Sequence, residues 1–360
     1  MVRVDFNTPV ALIDGVLEVS DDFRIRSTVP LFEDLLARGA VVVACTHFGR
    51  PQGKVVAEFS VEPVRRRLAE LCPGVELMEN LRFNPGEEGN DPAFGASLVA
   101  GFDYYVNEAF SASHRAHASI MIPPTLVPSA GGPNLVCEVT AITSLLESPE
   151  RPFVAIIGGA KVADKLAIVD VLAEKADTVI VGGGMAFTFQ VAQGRTIGAS
   201  LFDSSHLEQC TQLLNAGNIV IPSDAIGLAV GAAFGRGGGR DEVMSFDENI
   251  PDGFVGLDIG PTSIASFEGV IATAATILWN GPMGVFEDSR FNAGTAAVAH
   301  SVAGSNAVSV VGGGDSVAAL QSLGLQDDVR FVSTGGGASL ELVEWGDLPG
   351  LRALRESPWN

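Results

Sequence analysis

Short runs of β-branched and apolar residues alternate with helical stretches along most of this chain. In the N-terminal third, such runs predict strands at Val2–Phe6, Val41–Thr46, Val75–Glu79 and Tyr104–Asn107. Between them, apolar residues recur at helical spacing over Arg24–Arg38 and Val61–Leu71. Alternating strands and helices favour parallel sheets with helices on both faces. The pattern therefore predicts an α/β fold.

The alternation pauses at residues 122–133, which are rich in proline and glycine and should continue neither a helix nor a strand. We expect a domain boundary there. A predicted helix over about Asn134–Glu147 follows, and then a second series of strands. These are Phe153–Ile157, Thr178–Val181, Asn218–Ile221, Thr276–Trp279, Ala307–Val311 and Arg330–Val332. The prediction is a domain over residues 1–133 and another over residues 134–345, with a loop at Gly231–Gly239.

The composition of the chain argues mainly against certain classes of binding partner, namely membranes and nucleic acids. Apolar residues make up 47% of the 360, which argues against disorder. No apolar run approaches the roughly 20 residues of a membrane helix, and the N-terminus lacks the pattern of a signal peptide. We therefore expect a cytoplasmic protein with no membrane partner. The formal charge of -21 argues against nucleic acid, which needs a basic surface. The four cysteines are isolated and predict neither a zinc site nor a disulfide scaffold.

Arginines follow the predicted strands of the first domain. Arg24 lies at the start of the first helix, and Arg50, Arg82 and Arg115 follow the second, third and fourth strands. Parallel strands end at one edge of a sheet, so we expect these four side chains to converge. A guanidinium binds phosphate or carboxylate through two parallel hydrogen bonds, so the set predicts a multiply charged anion. The alternative for each arginine is a surface pair with a neighbouring carboxylate.

Other polar residues accompany the arginines. His47, His114 and His117 are candidate hydrogen-bond donors to the same anion. Metal ligation is the alternative, although neighbouring arginines make a poor cation site. Asp5 and Asn7 follow the first strand and are candidates to accept hydrogen bonds from a substrate hydroxyl. Asp5 could instead be an ordinary turn or cap residue.

Glycine clusters follow the strands of the second domain. They are Gly158-Gly159, Gly182–Gly184, Gly312–Gly314 and Gly335–Gly337. Glycine lets backbone N–H groups approach phosphate oxygens, and a following helix adds its positive end, so the clusters predict a nucleotide site. Neither the P-loop pattern nor the dinucleotide pattern Gly-x-Gly-x-x-Gly fits. A single cluster could also reflect only close packing of a strand and a helix.

Three charged residues lie among these glycines. Lys161 and Lys165 are four apart and are predicted on one face of a helix start, where they could neutralise phosphates and meet a moving phosphoryl group. A solvated helix face is the alternative. Asp315 is a candidate to hold Mg²⁺ directly or through water, and it could also be an N-cap.

Together these motifs resemble those of the phosphoglycerate kinase family, in the family's order and nearly end to end. The matching segments are Val2–Asn7, His47–Pro51, Glu79–Phe83, Val106–His117, Gly158–Lys165, Val181–Ala186, Asp258–Pro261, Trp279–Glu287, Gly312–Ser316 and Val332–Leu342. The resemblance implies two Rossmann-like three-layer αβα domains with parallel sheets, joined by a hinge. It also implies that the C-terminal residues, about 346–360, pack back on the phosphoglycerate-binding first domain.

The implied activity is the reversible transfer of the 1-phosphoryl group of 1,3-bisphosphoglycerate to ADP, which gives 3-phosphoglycerate and ATP. Mg²⁺ would accompany ATP or ADP, hinge closure would bring the substrates in line, and the protein would be a monomer. Two alternatives remain. A nicotinamide-dependent dehydrogenase on a similar fold is disfavoured by the missing dinucleotide pattern. A catalytically silent binding protein is disfavoured by the intact Arg24, Lys161, Lys165 and Asp315.

The resemblance also implies roles for individual residues. Those implied to bind phosphoglycerate are Asp5, Phe6, Asn7, Arg24, His47, Phe48, Gly49, Arg50, Arg82 and Arg115. Those implied to bind nucleotide are Gly158, Ala160, Lys165, Gly183, Gly184, Pro282, Glu287, Gly313, Gly314, Asp315 and Ser316, with Glu287 on the ribose and Asp315 on the metal. Those implied to act on the moving phosphoryl group are Arg24, Lys161, Lys165, Gly314 and Gly337.

The chain departs from the family pattern at a few positions. Phe48 replaces the usual leucine, Glu108 the usual aspartate and Ser316 the more common threonine. The family's usual lead-in before the first strand is missing, which predicts a looser outer edge for that strand. None of these differences removes a charged group that the resemblance makes catalytic.

Overall fold

The computed structural model describes residues 1–233, 239 and 242–359. The chain forms two units, one of residues 1–140 with 345–360 and one of residues 141–344. The predicted loop Gly231–Gly239 lies largely outside the described residues. None of the helices within the described ranges is long and apolar enough to cross a membrane.

The first unit is built on a parallel sheet. Its described strands are β1 (Val2–Arg3), β2 (Val10–Ile13), β3 (Val16–Val19), β4 (Val42–Cys45), β5 (Val75–Leu77), β6 (Tyr105–Asn107) and β7 (Ser129–Gly131). The parallel strands run in the order β5-β4-β1-β6-β7, and β2 pairs with β3 as an antiparallel hairpin. The central strand is β1, in which Val2 pairs with Ala44 on one side and Val106 on the other. This topology sends the segments after β1, β4, β5 and β6 out at one edge of the sheet.

Helices connect these strands. They are α1 (Phe23–Arg26), α2 (Val29–Ala37), α3 (Glu62–Leu71), α4 (Pro85–Glu88), α5 (Pro92–Val99), α6 (Ala118–Met121), α7 (Pro123–Leu126) and α8 (Pro133–Glu147). Short 3₁₀ turns lie at Ala57–Phe59, Leu81–Phe83 and Phe110–Ala112. Apolar side chains from the helices and strands form one core, in which Phe6 and Phe32 meet edge to face.

Two predictions for this unit are wrong. The predicted helix Arg24–Arg38 is two helices, α1 and α2. Pro30 lacks an N–H and its ring clashes with a preceding carbonyl, so the second helix starts anew with proline in its first turn. Residues 122–133 were expected to continue neither a helix nor a strand, yet they contain α7 and β7. Prolines are tolerated in the first turn of α7 because N–H groups there need no partner within the helix.

The second unit contains a parallel sheet and a smaller antiparallel one. Its described strands are β8 (Phe153–Ile157), β9 (Thr178–Val181), β10 (Ile219–Val220), β11 (Ala225–Ala229), β12 (Met244–Phe246), β13 (Phe254–Ile259), β14 (Thr276–Asn280), β15 (Val308–Gly312) and β16 (Phe331–Val332). The parallel order is β10-β9-β8-β14-β15-β16, and the antiparallel order is β12-β11-β13. The sequence did not predict the antiparallel sheet, since Gly227 and Gly256 weaken the strand pattern of β11 and β13.

The remaining helices flank these strands or form the tail. They are α9 (Leu166–Lys175), α10 (Ala186–Ala192), α11 (Leu207–Asn215), α12 (Pro261–Ile271), α13 (Ala293–Ala303), α14 (Gly314–Leu323), α15 (Gly337–Trp345) and α16 (Pro349–Arg355), with 3₁₀ turns at Ser204–His206 and Gln326–Asp328. The tail belongs to the first unit, where Gly350 N–H donates to Ser113 O over 2.8 Å. The predicted α/β class with parallel sheets is confirmed.

Candidate active site

The segments after the strands of the first unit gather charged side chains. The Arg24 guanidinium and the Ser111 hydroxyl both donate to Asp5. The charges of Asp5, Arg82 and Arg115 all act on His47, so these side chains lie close together. The structure therefore brings together three of the four predicted arginines. Arg50 is exposed, and the contacts among the described residues do not join it to them.

Arg82 is buried at this edge of the sheet. Its Nη1 donates to Gly49 O over 2.8 Å, and its Nε lies 3.1 Å from Glu88 Oε1. That Nε has no hydrogen-bond partner in the described part of the chain. Because the Glu88 carboxylate faces this Nε, a bound anion would have to use the other N–H groups of Arg82. The geometry thus supports the prediction of an anion site, although one flank of Arg82 is occupied by a carboxylate.

Asp5 is poised as a carboxylate. Burial alone would raise the pKa of Asp5, but His47, the Arg24 guanidinium and the Ser111 hydroxyl hold it below its usual value. Its Oδ1 accepts from Asn7 N–H over 3.0 Å, so Asp5 is also a turn residue. The interpretation of Asp5 as a turn residue therefore applies, and its other oxygen accepts from Arg24 and Ser111. Asn7 uses its own Oδ1 to accept from Gly49 N–H over 2.9 Å, which ties two strand ends together.

Sequence reasoning missed Arg3, which lies in β1 and is fully buried. Its Nε donates to Ser119 Oγ over 2.9 Å, Nη1 donates to Val4 O, and Nη2 lies 3.2 Å from His47 Nδ1. A guanidinium can only donate, so His47 Nδ1 must accept and the imidazole proton sits on Nε2. Burial lowers the pKa of His47 well below its usual value, and Arg3 adds to this. His47 is therefore a neutral hydrogen-bond donor through Nε2.

The other two histidines lie in different surroundings. Arg115 Nε donates to His114 Nε2 over 3.1 Å. His117 is buried, with Nδ1 3.8 Å from Oε1 of the buried Glu87. Burial and the charges of Arg82 and Arg3 lower the pKa of His117 to about 4. His117 thus faces a carboxylate on one side. The burial of Glu87 was not predictable, because an adjacent pair of glutamates is typical of a solvated surface.

Two residues of the predicted anion site, Phe6 and Phe48, are core residues whose backbone N–H groups donate within the protein. Phe6 is fully buried in the core, and its N–H donates to Thr46 Oγ1 over 2.9 Å. Phe48 is also buried, and its N–H donates to Asn80 Oδ1 over 3.1 Å. Their rings therefore fix the strand ends against the core. This explains how phenylalanine can replace leucine at position 48, since both are large apolar side chains.

The second unit contains a cavity of about 290 Å³. Of the predicted nucleotide residues, Ala160, Gly183, Gly184, Pro282, Glu287 and Asp315 line it. Much of the remaining wall is apolar and was missed: Phe187, Leu201, Val255, Leu257, Met283 and Val285. A concave, mostly apolar wall with a few polar groups is typical of small-molecule sites. Two of the missed residues, Val255 and Leu257, lie on β13 of the antiparallel sheet that the sequence did not predict.

Lys165 lies beside this cavity. Its Nζ donates to Gly158 O and to Asn280 Oδ1, both over 2.7 Å, and to Asn280 O over 3.2 Å. Burial lowers the pKa of Lys165 to about 8, against the opposing charges of Asp315 and Asp164. Asn280 was not among the predicted site residues, although it lies inside a quoted motif.

The predicted helical placement of the two lysines is wrong. The helix α9 begins at Leu166, so Lys165 is its N-cap and Lys161 lies outside it. The chain leaving β8 makes a turn first, in which Lys165 N–H donates to Val162 O over 3.1 Å. Lys161 is exposed.

The start of α14 carries the third glycine cluster. Gly313 is its N-cap with φ of 89°, a conformation that favours glycine. Asp315 lies in the first turn of α14 and is exposed. Because Gly313 is the N-cap, Asp315 is not. Ser316 Oγ accepts from Gly281 N–H over 2.5 Å, which joins this helix to the segment after β14. Gly337 similarly begins α15.

Comparison with known proteins decides the family. The family model for phosphoglycerate kinase matches residues 1–77 and 73–345. The chain belongs to the phosphoglycerate kinase family. A phosphoglycerate kinase of Rubrobacter xylanophilus is 47% identical over 381 residues, and one of Gloeothece citriformis is 42% identical over 390. Both alignments cover 99% of this chain and 95% of the relative.

Solved structures of phosphoglycerate kinases also match the fold of this chain. That of Coxiella burnetii matches with a TM-score of 0.88 at 35% identity, and that of Pyrococcus horikoshii with 0.81 at 29%. Each match covers 99% of this chain and 95% of the other. The family identifies the protein as a kinase, a phosphotransferase that acts on phosphoglycerate. It thereby excludes the dehydrogenase alternative.

Proposed function

We propose that the charged edge of the first unit binds the triose and that the cavity of the second unit binds the nucleotide. The reaction would be the reversible, Mg²⁺-dependent transfer between 1,3-bisphosphoglycerate and ADP. The observation that carries the proposal is Lys165, a largely buried ammonium beside the cavity, held by Gly158 and Asn280. A cation with so little solvent at a cavity edge is well suited to neutralise transferring phosphate.

In the first unit, the proposed ligands are the guanidinium groups of Arg24, Arg82 and Arg115 and the neutral His47. The arginines supply charge and paired donors, and His47 donates through Nε2 because Arg3 occupies Nδ1. The Asp5 carboxylate would accept from a substrate hydroxyl. The proposed set is completed by Arg50, Phe6, Asn7, Phe48 and Gly49, in which the two buried phenylalanines hold the strand ends in place.

In the second unit, the phosphates are proposed to meet backbone N–H groups at the starts of α14 and α15, where the helix ends are positive. These starts contain Gly313, Gly314 and Gly337. Gly158, Ala160, Gly183, Gly184, Pro282 and Ser316 are proposed to shape the nucleotide site, and Glu287 to bind the ribose. Lys161 is proposed to reach the moving phosphoryl group from its exposed turn.

Asp315 fits a role in holding Mg²⁺. It offers an exposed carboxylate at the start of α14, and Mg²⁺ prefers one or two carboxylates together with substrate phosphates. The described residues contain no cluster of three or more histidine, cysteine or acidic side chains that could hold a metal alone. When bound, the ion would neutralise charge on the phosphates. The side chain of Asp315 would orient it through carboxylate oxygens or water.

Transfer requires the two bound substrates to lie in line with water excluded, and we propose that hinge closure achieves this. Residues 1–133 with the tail of about 346–360 would form the phosphoglycerate-binding domain, and residues 134–345 the hinge helix and nucleotide domain. We also propose that the protein acts in the cytoplasm as a monomer.

The arginine assignment is tested by Arg24→Ala. We expect turnover to fall about 100-fold or more, because charge on the transferring group loses its partner, while the Kd for MgADP stays within about twofold. Phosphoglycerate-dependent ATP consumption and calorimetric titration with MgADP measure the two quantities.

The matched control for that experiment is Arg26→Ala, two residues along α1. Arg26 is exposed and pairs with Asp22, so we expect near-normal turnover. Turnover of Arg24→Ala equal to that of the control would refute the assignment. A wild-type protein that binds MgADP without turnover would point instead to a silent binding protein.

A further inference from the structure

The wall of the nucleotide cavity includes the segment 282–285, which follows β14 and has little regular structure of its own. Neighbouring elements fix its backbone. Met283 N–H donates to Thr295 Oγ1 over 3.0 Å, and Val285 N–H donates to Leu257 O over 2.9 Å. Gly183 N–H also donates to Met283 O over 3.1 Å, so the segment is held by α13, by β13 and by the glycine cluster after β9.

Asp258 lies where these elements meet and is 4% exposed. Its Oδ2 accepts from Gly294 N–H in the first turn of α13, and its Oδ1 accepts from Ile259 N–H, each over 2.9 Å. The carboxylate thus joins β13 to the positive end of α13. Both of its oxygens are engaged within the protein.

Close packing on both sides of this carboxylate fixes its position further. A Cβ placed at Gly284 would lie 2.2 Å from Asp258 Oδ1, and one at Gly294 would lie 2.5 Å from the same atom. Only glycine fits at these distances. One glycine belongs to the cavity wall and the other to α13, so the carboxylate is clamped between the two.

We propose that Asp258 is a positioning residue for nucleotide binding, which holds the segment 282–285 against β13 and α13. The inference rests on the proposed assignment of this cavity to the nucleotide. Asp258 itself lines the cavity, but its oxygens accept from Gly294 and Ile259, so it acts by positioning the wall rather than by binding the ligand.

The test is Asp258→Asn, which keeps the size of the side chain and replaces one acceptor oxygen by a donor. We expect the Kd for MgADP to rise about tenfold or more, while the Kd for 3-phosphoglycerate stays within about twofold. Titration calorimetry measures both constants on the full chain. Thermal unfolding and circular dichroism establish that the variant is folded.

The matched control is Asp177→Asn in the same unit. Asp177 also accepts a backbone hydrogen bond, from Phe153 N–H over 2.6 Å, and it lies at the start of β9 rather than in the cavity wall. We expect this variant to lose stability without any change in the Kd for MgADP. If Asp258 contributed only to stability, Asp258→Asn and Asp177→Asn would both leave the Kd for MgADP unchanged. That result would show that the proposal is wrong.

A second variant, Gly294→Ala, displaces the carboxylate without removing it. Its new methyl would press on Asp258 and on Ile259, which line the cavity, although Gly294 itself does not line it. We expect weaker MgADP binding here too, and unchanged affinity in a folded variant would count against the proposal. Absence of MgADP binding by the wild type would instead overturn the assignment of the cavity to nucleotide.

Discussion

Lys165 and Arg3 show how far a single residue can depart from what its sequence position suggests. Lys165 was predicted because glycines and a second lysine surround it, and the structure places it beside the cavity with its Nζ on protein oxygens. Arg3 interrupts a run of valines and carries no motif signal that separates it from a surface arginine. Only its pairing within a central strand shows that its charge is buried.

The lowered pKa of Lys165 predicts a pH dependence. A lysine with a pKa of about 8 loses its charge as the pH rises through that value, whereas an ordinary lysine does so near 10.5. We therefore expect the affinity for MgADP to fall above about pH 8. Titration calorimetry from neutral to alkaline pH would reveal the break.

Lys165→Arg provides the control for that titration. A guanidinium remains charged across the whole range, so the break near pH 8 should disappear even if affinity is lower overall. An unchanged break in this variant would assign the titration to another group.

At the scale of elements, the starts of helices carry much of the proposed chemistry. Gly313 is the N-cap of α14 with positive φ, and a Cβ there would lie 3.0 Å from Asn280 Oδ1. That oxygen also accepts from Lys165. A side chain at position 313 would therefore disturb both the helix start and the lysine.

We expect Gly313→Ala to reduce stability by at least about 1 kcal/mol and to weaken MgADP binding about tenfold or more. The control is Gly324→Ala at the other end of the same helix. Gly324 also has positive φ, at 70°, but has open space around it. That variant should lose comparable stability in urea unfolding while keeping its MgADP affinity. Equal losses of affinity in both would show a general loosening of α14.

The start of a second helix, α8, contacts the side chain of Glu108. Its carboxylate accepts from Asn134 N–H over 3.1 Å, and a Cβ at Gly132 would lie 2.0 Å from it. Burial raises the pKa of Glu108 to about 7, although the backbone hydrogen bonds oppose the shift.

The raised pKa of Glu108 predicts the direction in which the free energy of unfolding changes with pH. Between about pH 4.5 and 7, Glu108 is ionised in the unfolded chain and protonated in the folded one, so its contribution to stability is lost as the pH rises. Relative to Glu108→Gln, the wild type should lose on the order of 3 kcal/mol of unfolding free energy across this window. Urea unfolding at several pH values measures the difference. The exposed Glu58→Gln should show no such trend, and a flat difference for Glu108→Gln would contradict the prediction.

At the scale of the whole molecule, charge is the dominant feature. The chain has 43 acidic residues and 22 lysines and arginines. Like charges at this density repel one another in the compact state, and dissolved salt screens that repulsion. The cations that the structure gathers at the strand ends of the first unit stand out against this background.

We therefore expect the Tm at pH 7 to rise when salt is increased from about 0.1 M to about 1 M, where the screening length falls to about 3 Å. Scanning calorimetry measures this directly. Near the isoelectric point of about 4.5, the same salt change should have little effect because net repulsion is small. A Tm that falls with salt at pH 7 would show that specific ion pairs outweigh the net charge.

The strands of the two parallel sheets other than β7, the glycine clusters and the arginines after strands were predictable from the sequence, because each depends on local periodicity or residue type. The strands Phe153–Ile157 and Thr178–Val181 were predicted at their observed bounds, since buried parallel strands form continuous β-branched runs. The sheet β12-β11-β13 was missed because its strands contain glycine and pair across long separations. The part of the apolar cavity wall that lies on β13, Val255 and Leu257, was missed with it.

The sequence by itself determined the family, the α/β class and most of the chemical groups available to the site. Tertiary structure decided which of these groups are buried and what each one touches. It buries Phe6 and Phe48 in the core and places Arg3 Nη2 3.2 Å from His47 Nδ1. It also packs Asp258 between Gly284 and Gly294. Burial and pairing depend on contacts between residues distant in the chain, and those contacts set pKa values and hydrogen-bond partners that no local pattern contains.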